Sequence, residues 1–178
     1  MIRLEVRGLP APQGSKSFKG TYTGRDGRTH AKLVESSEKV KPWREDVRAA
    51  AMAYIAGLMR CVDALTGEPG HLVPMSNGDT MTQVVPLDVP LRVRMVFTLP
   101  APRSLPKRRP SYPARMPDLS KLVRSTEDAL TSAGLWRDDA RVVECLAIKT
   151  YPSGTLGAHR DALPVPGCVI EVDAVRVP

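Results

Sequence analysis

One stretch, Pro117 to Val143, constrains this chain more than any other. Leu119, Leu122, Val123, Thr126, Leu130 and Ala133 recur at helical spacing, so one face of a helix is apolar. Asp118 stands just before the run, where a side-chain oxygen caps a helix. Gly134 follows it, where a left-handed residue ends one. Leu135 and Trp136 give the turn an apolar anchor, and Arg141 to Thr150 then reads as a strand rich in Val142, Val143, Leu146 and Ile148. A helix, a tight turn and a returning strand carry Asp138 and Asp139 back beside that helix. If they reach Asp118, three carboxylates converge on one site.

Capping and turn chemistry alone account for aspartates in these places. The other account is a divalent cation held against a polyanion. Charge agrees with the second without deciding it: 26 Lys and Arg face 19 Asp and Glu, a formal net charge of +7, which suits a nucleic-acid partner but equally a solvated basic protein. The 178 residues suit one domain, 1–178, with a single core.

The stretch resembles the signature of the RusA family of Holliday junction resolvases. That signature runs Pro-Asp-x-Asp-Asn, then a helix with Asp-Ala-Leu, then Gly, an aromatic or apolar residue and Asp-Asp before a strand. Here it reads Pro117-Asp118, Asp128-Ala129-Leu130, Gly134, Trp136 and Asp138-Asp139. PAPQGSK from Pro10 to Lys16 and GCVIEV from Gly167 to Val172 are similar to the family's amino-terminal motif and final strand. The resemblance implies Mg²⁺, with Mn²⁺ as a substitute, held by Asp118 and Asp139 with Asp138 as a ligand or beside them. It implies Lys121 and Arg124 on phosphate, a homodimer, branched DNA as partner, and a phage or prophage origin. Ser120 and Lys121 stand where the family has its second aspartate and an asparagine, and Arg124 replaces a lysine. A serine hydroxyl is a poorer ligand for a hard cation than a carboxylate. An arginine can neutralise phosphate but cannot exchange a proton near neutral pH. The expected function is a metal-dependent endodeoxyribonuclease resolving four-way junctions. The alternative is a catalytically degenerate branched-DNA-binding protein on the same scaffold, and Ser120 is its best argument.

Basic segments flank the acidic one. The run 100–117 carries Arg103, Lys107, Arg108, Arg109 and Arg115 with no acidic residue. Its prolines forbid a regular helix or central strand, so an exposed, partly mobile arm that binds phosphates is expected, with Tyr112 available to stack on an unpaired base. Lys16 and Lys19 open a second basic stretch in which Gly24 and Gly27 around Asp26 mark a hairpin. Asp128 reads as a structural pairing group, with Arg124 one turn away as the obvious partner. Pro42, Trp43, Val47, Ala51 and Tyr54 mark another helix, and Leu91 to Leu99 a half-exposed strand. Residues 67–88 read as a loop or insertion. The expected architecture is an α+β domain of RusA type, with a mixed β-sheet and two main helices.

Cys61, Cys145 and Cys168 have no metal-ligand spacing, and His30, His71 and His159 are scattered. The PD-(D/E)xK nuclease pattern fails because Ala147 stands two places before Lys149. With no signal peptide and no long apolar run, the sequence predicts a cytoplasmic protein, in the host cytoplasm if phage-encoded, with no membrane partner.

Overall fold

Alternation sets the first strand: in β1, Ile2–Arg7, the side chains of Ile2, Leu4 and Val6 are buried while their neighbours face water. A computed structural model describes residues 1–14, 16–35, 38–62, 69–73 and 83–175, and of 16–19, 31–35, 59–62, 69–73 and 83 the backbone alone. In chain order β1 is followed by β2 (Lys16–Thr23), β3 (Thr29–Glu35), α1 (Val40–Ala56), β4 (Met59–Val62), β5 (Pro69–Val73) and β6 (Gln83–Val85). Then come β7 (Leu91–Thr98), α2 (Leu119–Ser132), a 3₁₀ turn (Asp139–Arg141), β8 (Val142–Thr150) and β9 (Gly167–Ala174).

The result is the expected α+β architecture with a mixed sheet and two main helices. The principal sheet has the order β1-β9-β7-β8, with β1, β9 and β7 antiparallel in turn and β7 parallel to β8. Central β7 is buried on both faces over much of its length, with Val93, Met95, Val96 and Phe97 inaccessible to water, rather than half-exposed as its alternation suggested. Parallel neighbours need a crossover, and here it is the loop 100–117 followed by α2. The crossover lays α2 along the sheet with its amino end near the finish of β7 and its carboxyl end near the start of β8.

Both helices close one face of the sheet. Leu122, Ala129 and Leu130 of α2 join Trp43, Val47 and Ala51 of α1 in the core. The Trp43 indole N–H donates to the Thr126 hydroxyl at 3.1 Å, which satisfies a polar group that burial would otherwise leave unpaired. Removing Trp43 would empty the largest side chain from this junction and cost about 3–5 kcal/mol. Gly134, at φ 74°, ends α2 as its position predicts.

Two expectations change. The span 67–88 holds β5 and β6, which pair with each other antiparallel beside β4; its Gly and Pro content suggested a loop, while residues 67, 68 and 74–82 lie outside those described. The run 100–117 is irregular and exposed but fastened. Ser111 N–H donates to the Leu156 carbonyl at 3.2 Å, and the Lys149 ammonium donates to the carbonyls of Arg115 and Pro117 at 2.9 and 3.0 Å. The glycines around Asp26 do turn the β2–β3 hairpin.

Candidate metal and nucleic-acid site

Asp118 occupies the N-cap of α2 in an extended conformation, with no side-chain capping bond. Its carboxylate is therefore not used up by the helix. It lies 3.3 Å from the Lys121 ammonium, one turn on. Ser120, Lys121 and Arg124 are exposed around it. The segment after β1 runs against the same half of the helix. Ser125 hydroxyl donates to the Ala11 carbonyl at 2.7 Å, and Gln13 N–H donates to the Lys121 carbonyl at 3.0 Å. The PAPQGSK motif therefore stands beside Asp118, although the side chains of Lys16 and Lys19 fall outside the described residues.

Asp138 and Asp139 are elsewhere. Asp138 caps the 3₁₀ turn, its carboxylate accepting from Ala140 N–H at 2.8 Å, so turn chemistry explains at least this aspartate. Asp139 is exposed beside the carboxyl half of α2. There Glu127, half-buried, has its carboxyl pushed up by burial and then by the charges of Asp139 and Asp128. Burial, followed by Glu127, likewise raises the Cys145 thiol. Asp128 does pair structurally, but with Arg44 of α1 rather than with Arg124.

The returning strand thus brings Asp139 beside the helix at the end opposite Asp118. A helix of 14 residues is about 21 Å long at ~1.5 Å per residue. The convergence of three carboxylates does not occur within one chain. Among the described residues, no three His, Cys, Asp or Glu side chains are grouped to hold a metal ion. The donor chemistry of the two ends still suits a hard divalent cation, since each offers carboxylate oxygens and Mg²⁺ commonly takes one or two carboxylates plus waters and phosphate.

Lys149 was passed over in the sequence because no acidic residue stands two places before it. In the fold it ties the end of β8 to the backbone that leads into Asp118. Glu127 was also missed. Its signal was the spacing of Ser120, Arg124 and Glu127, four and then three residues apart, which puts all three on one stripe of α2.

A carboxylate that makes no capping bond at a helix amino end, paired with a lysine, is chemistry compatible with phosphate esters. Residues 75–156 match the family model described as Endodeoxyribonuclease RusA, and the match supports membership of the RusA family. It spans the loop 100–117, α2 and β8, and supports an endodeoxyribonuclease of the Holliday junction resolvase type. No curated protein sequence matches the chain significantly. No helix among the described residues is long and apolar enough to cross a membrane.

Proposed function

We propose that the protein is a divalent-metal-dependent, structure-specific endodeoxyribonuclease that resolves four-way DNA junctions as a homodimer. Each site takes Asp118 from one chain and Asp139, with Asp138 beside it, from the other. The separation of these carboxylates along α2 is the observation that carries this reading.

Strand β8 supplies a way to close the gap. It is an edge of the sheet, residues 143–146 are all exposed, and Val143 and Leu146 keep 59% and 55% of their surface. A bare apolar edge is a natural template for a second strand. Two copies of β8 paired antiparallel about a two-fold axis at Leu146 set the start of one strand beside the end of the other. Asp138 and Asp139 stand at the start. Lys149, which holds Pro117 ahead of Asp118, stands at the end. Two equivalent sites result, one for each strand of a junction that must be cut.

Bound by these carboxylates, Mg²⁺ or Mn²⁺ would orient the scissile phosphate, lower the pKa of the attacking water and stabilise the leaving 3′ oxygen. Lys121 and Arg124 neutralise the phosphate. The cations of the loop 100–117 extend that contact along the backbone. Ser120 favours a second reading, a junction-binding protein that no longer cuts, because it removes a charge from the ligand set.

A labelled four-way junction, incubated with Mg²⁺ or with EDTA, separates the two. Paired nicks near the crossover that EDTA abolishes are expected; tight binding without nicks under either metal would leave only the binder. Mixing Asp118→Asn and Asp139→Asn chains tests the shared site. Each variant alone should lose roughly 10²–10³ in cutting. The mixed dimer keeps one complete site and should nick a single strand. A mixture as inactive as its parts would place both aspartates in one chain's site and sink the composite arrangement.

A further inference from the structure

Beside Asp118 lies a feature that phosphate contacts alone do not use. The loop 100–117, with Pro10, Pro12, Lys39 and Tyr151, walls a groove of about 1080 Å³ that reaches Pro117. That is slightly above the roughly 300–1,000 Å³ of clefts that enclose a drug-sized ligand. Eight proline rings and two tyrosines line it. Tyr112 keeps 68% of its surface exposed and Met116 74%, an unusual outlay of large apolar side chains in water. Lys39, Arg109 and Arg115 line the same groove, and among the described residues no acidic side chain does. Its far wall is fixed: Pro110 packs so closely against Gly157 that a Cβ there would lie 3.0 Å from the Pro110 Cβ.

We propose that this groove takes an unstacked nucleobase of the DNA strand whose phosphate lies at Asp118, with Tyr112 and Tyr151 as stacking faces and Arg109 and Arg115 on the flanking phosphates. This rests on the branched-DNA reading above. The occupant follows from the pairing of chemistries. A nucleotide offers a flat, π-faced base on a backbone of uniform negative charge, and the groove offers rings among cations. An apolar peptide would use the rings but would leave three cations without acids. At a junction, bases at the crossover are the ones most easily drawn out, because their stacking is already interrupted.

The test is a double cycle of binding in EDTA, where no cutting intervenes. Each nucleotide flanking the crossover of a labelled four-way junction is replaced in turn by an abasic site. Wild type, Tyr112→Ala and Tyr112→Phe are titrated against each junction, and duplex of the same sequence is titrated alongside. One abasic position and Tyr112→Ala should each weaken binding roughly tenfold. Together they should weaken it no more than either alone, while Tyr112→Phe binds as wild type does. Additive losses, or no loss at any abasic position, would overturn the groove assignment even where wild type binds and cuts junctions normally. Wild type that binds junction no better than duplex would defeat the branched-DNA reading, and the groove proposal would fall with it. If Tyr112→Ala instead lowers the mass of the free protein in sedimentation, the groove is a subunit contact and holds no base.

Discussion

The two ends of α2 are opposites. At the amino end a single carboxylate, Asp118, stands among Lys121, Arg124 and the basic loop, with Lys149 fixing the backbone in front of it. At the carboxyl end Glu127 feels the charges of Asp139 and Asp128, and Asp138 caps the 3₁₀ turn next to Asp139. The cations nearest in sequence, Arg137 and Arg141, are engaged by Asp88. One end has the means to bind phosphate but a single carboxylate for a cation. The other has ligands without a cradle for phosphate. A helix dipole favours the first arrangement and opposes acids near its carboxyl end, a cost that Arg44 offsets at Asp128 but that Glu127 and Asp139 still bear. That asymmetry makes sense when opposite ends of two helices meet across a two-fold axis.

The most damaging way to break the comparison is to keep the two ends apart. Leu146→Asp places a charge on each strand at the proposed axis. The dimer should dissociate more readily by tenfold or more, about 1.4 kcal/mol or above, and cutting should fall roughly a hundredfold at dilute protein. Sedimentation and junction cleavage report both. An unchanged mass with unchanged cutting would remove β8 from the interface.

Much of this was legible beforehand. The apolar period of α2, its start after Asp118 and its end at Gly134 all stand as read, because local pattern and backbone preference agree there. The partner of a strand is not local. Alternation marks β7 and β-branched content marks β8 as strands, but neither says that they run parallel, and the parallel crossover is what sends Asp139 to the far end of the helix. The strands β5 and β6 were hidden for a different reason: Pro69 and Gly70 are poor strand formers, and pairing overrides their propensity. Asp128 was legible as structural, but its Arg44 partner comes from a helix more than eighty residues away.

A smaller effect sharpens the electrostatic half of the contrast. Replacing Arg108 and Arg109 by alanine should weaken junction binding about tenfold near physiological salt. The dependence of log affinity on log salt should flatten by about two. The pair Arg137→Ala and Arg141→Ala should leave that slope unchanged, since Asp88 already engages both. Equal flattening from both pairs would mean that DNA covers the two ends alike. Ser120→Asp acts on the ligand count instead. Restoring a carboxylate next to Asp118 should lower the Mg²⁺ concentration for half-maximal cutting by roughly tenfold. No change would show that position 120 does not face the cation.

The smallest expected effect tests whether the acidic end is costly while alone. Glu127 is half-buried, and Asp139 from the 3₁₀ turn and Asp128 from its own helix both oppose its charge. Glutamine keeps the shape and removes the charge. In EDTA, Glu127→Gln should be more stable than wild type by about 0.5 kcal/mol, the scale of one like-charge pair on a helix. For a chain of 178 residues that is a rise in Tm of about 1–2 °C. Mg²⁺ should reverse the order. A cation held near Asp139 relieves the repulsion in wild type and gains from the Glu127 charge, whereas the variant has less repulsion to relieve. A variant less stable than wild type in EDTA would mean that Glu127 is already compensated, and that the carboxyl end of α2 bears no penalty for a partner to repay.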